Sequence, residues 1–224
     1  VKFTGIGAVI IDLDGTMLDT AADFQSAINR MRAERALAPL DIETIKSFVG
    51  KGSENLVRQV LAVDLNAAQV DAQIEAALAA YQRHYLIING DHVALYPKVR
   101  EGLEAFRQQN LRIACVTNKP IGFTLPLLQK TGLRDYFDIV CGGDSLPTRK
   151  PDPGPFLHVF REFGLQPQQV VAIGDSSNDA IAARAAGCHV LTVPYGYNHG
   201  QSVHTIDSDG IVQTLLEAAH LISP

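Results

Sequence analysis

The feature that most constrains this chain is a repeated pattern in which a short, wholly apolar run stops on a polar residue. Ala8-Val9-Ile10-Ile11 ends on Asp12, Ala114-Cys115-Val116 on Thr117, and Val170-Val171-Ala172-Ile173 on Gly174 and Asp175. Runs without polar alternation read as strands buried on both faces, the signature of a parallel sheet covered by helices. In such an open sheet the carboxyl ends of the strands line one crevice, where ligands bind. Asp12, Asp14, Asp175, Asp179, Thr117 and Lys150 are therefore expected to converge there.

Strand and helix patterns alternate along the chain except in one segment. After the first strand, residues from about 20 to 88 carry only helical patterns, at 22–37, 42–48, 54–63 and 67–86, with Ser53 and Asn66 standing where helix caps belong. Alternation then resumes: Pro97 opens a helix, followed by strand 111–116, helix 121–131, strand 138–141, helix 155–164, strand 170–173, helix 178–186 and strand 189–193. The fold class expected is α/β, a Rossmann-like open parallel sheet with helices on both faces and an all-helical cap inserted after strand one. The core would comprise residues 1–19 and 90–224, and the cap residues 20–89, with links near Asp19-Thr20 and Asn89-Gly90-Asp91.

The residue types at the strand ends suit one reaction. Like carboxylates packed together repel, and one takes up a proton unless a cation neutralises them. Mg2+ fits, because it prefers oxygen ligands and binds one or two carboxylates together with substrate phosphate. A carboxylate beside a bound phosphate can attack phosphorus, and a Lys ammonium, a Thr hydroxyl and loop N–H groups supply donors for the phosphoryl oxygens. Each piece taken alone has a plainer reading. Asp12-Leu13-Asp14-Gly15 is compatible with a turn, Thr117-Asn118 with a helix cap, and Lys150 before Pro151 with a solvated loop charge. The Asp-x-Asp-x-Asp-Gly calcium loop is not met, since position 16 is Thr.

The set in this order, Asp12-Leu13-Asp14-Gly15-Thr16, Thr117, Lys150 and Gly174-Asp175 through Asp179, resembles the haloacid dehalogenase superfamily over nearly the whole chain. Asp at both positions 12 and 14 is similar to its phosphatase branch. The resemblance implies that Asp12 is the nucleophile and Asp14 the acid/base that protonates the leaving alkoxide and then activates water. It implies that the Asp12 carboxylate, the Asp14 backbone carbonyl and the Asp175 carboxylate hold Mg2+, with Asp179 behind them, and that Thr117, Asn118 and Lys150 bind the phosphoryl group. A helical insert at this position matches the superfamily's C1 cap.

Within the insert, Val49-Gly50-Lys51-Gly52-Ser53 runs into a helix start. Glycines permit close backbone approach, and a helix N-terminus with an ammonium suits a small carboxylate. Equally, Gly50 ends one helix, Gly52 starts the next and Lys51 is solvated. This stretch, with Thr117-Asn118-Lys119-Pro120, Gly142-Gly143-Asp144, Lys150-Pro151-Asp152-Pro153 and Tyr195-Gly196-Tyr197-Asn198, resembles the bacterial phosphoglycolate phosphatases. That implies hydrolysis of 2-phosphoglycolate, with Gly50, Lys51 and Gly52 facing the substrate. Lys51 departs from members that carry Asn or another polar residue there, and Met17 and Thr20 from the commoner Leu and Ser.

Composition sets outer bounds. With 224 residues, 46% of them hydrophobic, the chain can build one substantial core plus a small appended unit. The net charge of −5 without a basic block points away from nucleic acid and anionic membranes. No run reaches the ~18 apolar residues of a membrane span, and no leader pattern is expected because Val1 leads directly into a core strand. Cys115, Cys141 and Cys188 lack Cys-x-x-Cys spacing and read as reduced thiols of a cytoplasmic protein. The partner expected is a small-molecule phosphate ester, with monomer and homodimer both compatible. A sugar phosphate or pyrophosphate substrate, a phosphosugar mutase and a non-catalytic binding protein on the same scaffold remain as alternatives.

Overall fold

The computed structural model describes residues 2–224. Its main sheet contains β1 (Ala8–Ile11), β4 (Arg112–Val116), β5 (Ile139–Cys141), β6 (Val170–Gly174), β7 (His189–Thr192) and β8 (Gly210–Ile211), in the order β5-β4-β1-β6-β7-β8. Every pairing is parallel, and β1 sits between β4 and β6 with Ile11 opposite Cys115 on one side and Ile173 on the other. The apolar runs are continuous because both faces are covered. Val9, Ile11, Ile113, Cys115, Val171 and Ile173 pack on one face beneath α5 (Val99–Gln108) and α9 (Leu215–Leu221). Ala8, Ile10, Ala114, Val116 and Ala172 face the other side, against α7 (Gly154–Phe163) and α8 (Ser177–Ala186). Successive side chains on a strand point to opposite faces, so each run feeds two cores.

Helices α1 (Ala21–Ala33), α2 (Ile42–Phe48), α3 (Ser53–Ala62) and α4 (Ala67–Ile88) follow β2 (Leu18–Asp19) and gather round apolar residues of their own, among them Phe24, Ile28, Met31, Val57, Val60, Tyr81 and Tyr85. Arg32 lies fully buried in this group. Its guanidinium reaches the Ala38, Val60 and Asp64 oxygens, which meets the requirement that a buried charge be paired and hydrogen-bonded. Tyr197 and Phe123 from outside the insert complete the cluster.

The chain enters and leaves these helices side by side, β2 pairing antiparallel with β3 (Ala94–Leu95). Buried Asp23 accepts from the Gly90 N–H at 2.6 Å and the His92 N–H at 3.0 Å, tying α1 to the returning segment. The Tyr197 hydroxyl accepts from the Thr20 and Ala21 N–H groups at 2.8 and 3.1 Å, fixing the outgoing segment to the loop after β7.

The element boundaries differ from the sequence reading in ways that have local causes. The first helix stops at Ala33 instead of continuing to residue 37, since Ala36 adopts φ +54 and the Arg32 side chain draws in the chain at Ala38. Ser53 is the first residue of α3, and Gly52 at φ +88 takes the cap position. Asn66 does cap α4, accepting from the Gln69 N–H while Gln69 accepts from the Asn66 N–H. Pro97 precedes α5 by two residues, with Lys98 in the left-handed region as the cap. The helix between β4 and β5, α6, spans Ile121–Lys130. Among the described residues no helix is long and apolar enough to cross a membrane.

Candidate active site

Two strand ends and a helix start meet in one crevice. Asp12 follows β1, Asp175 follows β6, and Asp179 lies in the first turn of α8. One carboxylate oxygen from each of Asp12, Asp175 and Asp179 lies within 4.8 Å of the others. Lys150, arriving from the loop before α7, places its Nζ 2.9 Å from Asp12 Oδ1 and 2.6 Å from Asp179 Oδ1, and donates to the Val116 carbonyl at 2.7 Å. This ammonium is buried. Burial alone would lower its pKa, but the Asp12 and Asp179 carboxylates outweigh burial and hold it above the ordinary lysine range.

The carboxylates are themselves held rigidly. Asp175 accepts from the Thr16 hydroxyl at 2.9 Å and the Tyr197 N–H at 2.5 Å. Asp179 accepts from the Ser176 N–H and hydroxyl at 3.1 and 2.8 Å. Gly15 has φ +87, and a Cβ there would overlap the Asp175 carboxylate, so glycine is required both for the turn and for the approach.

Electrostatically the group is short of positive charge. Three carboxylates face one ammonium, leaving a formal deficit of two charges. Burial, then the neighbouring Asp179 carboxylate, push Asp12 up to about 7 in spite of Lys150, and burial with Asp12 and Asp179 raises Asp175 well above the carboxylate range. A divalent cation with hard oxygen preference would supply the missing charge, and the donor set fits such an ion in type and in formal charge.

Asp14 turns away from that group. Its Oδ1 accepts from the Thr20 hydroxyl at 2.8 Å and from the Lys119 ammonium at 3.1 Å. Lys119 is buried, and its Nζ also donates to the Tyr85 hydroxyl at 2.6 Å and lies 4.5 Å from the centre of the Phe24 ring. Burial lowers the Lys119 pKa, with Asp14 opposing. Asp14, Phe24, Tyr85 and Lys119 line a cavity of about 30 Å³ between the strand ends and helices α1 to α4, which Gly50, Gly52, Ser53, Thr117 and Asn118 also line. Gly50, at φ +112, presents its carbonyl to the Asn118 and Asn178 side-chain amides at 2.9 and 3.2 Å. Asn118 Oδ1 is buried with no partner among the described residues, as expected where a ligand or solvent supplies a donor.

A model of the haloacid dehalogenase-like hydrolase family matches residues 9–193. The chain belongs to that family. It is 52% identical over 217 residues to a phosphoglycolate phosphatase of Nitrosospira multiformis, spanning 97% of this chain and 96% of the relative. A phosphoglycolate phosphatase of Thiobacillus denitrificans is 47% identical over 222 residues, with 97% and 96% covered. Among solved structures, that of a predicted phosphoglycolate phosphatase from Haemophilus somnus aligns at a TM-score of 0.91 with 29% identity, over 96% of this chain and 97% of the other.

Of the residues singled out from the sequence, this hydrolase brings Asp12, Asp175, Asp179 and Lys150 into direct contact or near contact, and sets Asp14, Thr117 and Asn118 on the adjoining cavity. Gly50 and Gly52 line the cavity, whereas the Lys51 side chain is exposed and lies outside the lining. Lys119, Tyr85, Thr16, Thr20 and Asn178 were given no part by the sequence reading. Lys119 stood in a stretch noted only for its resemblance, and Tyr85 was indistinguishable from any apolar position of a long helix.

Proposed function

We propose that this hydrolase is a magnesium-dependent phosphatase that converts 2-phosphoglycolate to glycolate and inorganic phosphate through an aspartyl-phosphate on Asp12. The observation that carries this reading is the adjacency of two unlike carboxylate environments. Asp12 belongs to a charge-deficient group suited to a metal and a phosphoryl dianion. Asp14, two residues on, faces a small cavity that Lys119, Tyr85 and the start of α3 also line. The similarity to phosphoglycolate phosphatases over 97% of the chain supports the same substrate.

In this reading Asp12, Asp175 and the Asp14 backbone carbonyl would hold Mg2+, with Asp179 in support. When bound, the ion would supply Lewis-acid neutralisation of phosphoryl charge. An Asp12 carboxylate oxygen attacks phosphorus as the bond from phosphorus to the glycolate oxygen breaks, and Asp14 delivers a proton to that oxygen. Water then attacks phosphorus, Asp14 takes a proton from it, and cleavage of the bond between phosphorus and the Asp12 oxygen releases phosphate and restores the carboxylate. Lys150 favours the ionised form of Asp12 against burial and orients it, while the Thr117 hydroxyl and the Asn118 backbone N–H donate to the phosphoryl group.

Residues 20–89 are read as a cap over a core of residues 1–19 and 90–224, closing on the site through the Gly50 carbonyl and excluding water from the acyl phosphate. The three buried free thiols, Cys115, Cys141 and Cys188, support a reducing, cytoplasmic setting, and a small phosphate ester is the partner proposed. Phosphate release with Mg2+ across 2-phosphoglycolate, sugar phosphates, nucleotides and pyrophosphate tests the reading. A preference of ~100-fold in kcat/KM for 2-phosphoglycolate is expected, and a higher value for any other ester contradicts it.

A further inference from the structure

The cavity beyond Asp14 contains an ammonium that the reaction as written does not use. Lys119 Nζ carries three protons. Its hydrogen-bond acceptors among the described residues are the two Asp14 carboxylate oxygens, at 3.1 and 3.3 Å, and the Tyr85 hydroxyl at 2.6 Å, so a carboxylate entering the cavity that Lys119 lines would take over the longer of the two Asp14 contacts. The aromatic faces of Phe24 and Tyr85, 4.5 and 4.6 Å from Nζ at their centres, confine the ammonium to this position. Across the same cavity stand Gly52 and Ser53, the start of the ten-residue α3, whose cap residue offers no side-chain acceptor to the first-turn N–H groups.

We propose that Lys119, with the first turn of α3, forms the subsite that binds the substrate's carboxylate and so determines specificity. This rests on the phosphatase reading above. In an ester whose leaving oxygen takes its proton from Asp14, the carboxylate of glycolate is one methylene beyond that oxygen. The group that recognises it must therefore adjoin Asp14, and Lys119 Nζ lies 3.1 Å from Asp14 Oδ1. A helix N-terminus and an ammonium together suit a carboxylate, and the exposed Lys51 is not the ammonium that faces this space. Tyr85 is a positioning residue, holding Nζ from the helix opposite the strand ends.

The test compares 2-phosphoglycolate with 2-hydroxyethyl phosphate, which carries a neutral hydroxymethyl group in place of the carboxylate. In Lys119→Gln, kcat/KM falls for both esters through the lost contact to Asp14, but it falls ~100-fold further for 2-phosphoglycolate than for 2-hydroxyethyl phosphate, the extra loss appearing chiefly in KM. Lys119→Arg, which keeps the charge, retains part of the preference. A role limited to holding Asp14 would lower kcat for both esters by the same factor, and that result overturns the proposal. If the unmodified enzyme itself shows no preference for the carboxylated ester, the phosphoglycolate reading fails. If it does and Lys119→Gln keeps the preference, only the Lys119 assignment fails. Should Lys119→Gln melt below the assay temperature, Tyr85→Phe gives the same readout, its KM rising more for the carboxylated ester than for the neutral one; equal changes count against the proposal.

Discussion

Replacing Lys150 with Met removes the ammonium that Asp12 and Asp179 share and retains most of the aliphatic stem. The two contacts, at 2.9 and 2.6 Å, involve side chains that are at most 13% exposed. At an effective dielectric of about 20, each is worth roughly 6 kcal/mol before desolvation is subtracted, and breaking a buried pair by removing one partner costs about 3–5 kcal/mol net. For a chain of this size each kcal/mol moves the melting temperature by about 2–4 °C, so Lys150→Met in the presence of a chelator should melt roughly 6–20 °C below the parent. Saturating Mg2+ should recover a substantial part of that loss, because the cation neutralises the same carboxylates and binds the folded state alone. Turnover with Mg2+ should still fall by about three orders of magnitude, as expected for losing a preorganised charge at the phosphoryl group. Differential scanning fluorimetry with chelator and with Mg2+, followed by phosphate release, makes both comparisons. A melting temperature unchanged in chelator, or a loss that Mg2+ leaves untouched, would refute the argument that these carboxylates form one charge-deficient site.

Two further perturbations follow. Gly15→Ala places a Cβ against the Asp175 carboxylate at a backbone φ of +87; it should weaken Mg2+ binding at least tenfold in a titration followed by melting temperature, an effect of about 1.4 kcal/mol, and unaltered binding would show that Asp175 has room to move. Asp209 accepts from the Arg184 guanidinium at 2.9 and 3.0 Å and from the Val190 N–H at 2.8 Å, contacts that outweigh burial and hold its carboxyl below the usual range. A carboxyl depressed on folding stabilises above its unfolded pKa of ~3.9 and loses that contribution as pH falls through the folded value. Asp209→Asn should therefore lower the melting temperature at pH 7 and converge with the parent as the solution is acidified below about pH 4; a gap that persists at low pH would contradict the ionic origin.

The legible parts of the fold were those where burial is two-sided. β1, β4 and β6 are apolar throughout because each feeds two cores, and their polar ends had to share the crevice. The short strands β2, β3 and β8 escaped notice because two residues show no period, and α9 lay beyond the last pattern read. At the site, Asp12 and Asp175 are legible from their positions after strands, Asp179 from the motif that continues from Asp175 into a helix, and Lys150 from its place before a proline. Lys51 and Lys119 were a different matter: both stand in polar loops beside helix starts, and only the packing of α4 against the loop after β4 selects which ammonium is buried. Tyr85 acquires its part from that packing as well, since nothing in a helical repeat marks which of its apolar positions faces a ligand.

The most direct measurement is a rapid quench of the enzyme with Mg2+ and 2-phosphoglycolate labelled at phosphorus, followed by peptide mapping. The account predicts transient label on the peptide containing Asp12, discharged as free phosphate on the timescale of turnover and absent from Asp12→Asn, which should fold with a melting temperature close to the parent's. Turnover without covalent label, or label on a peptide lacking Asp12, would contradict it.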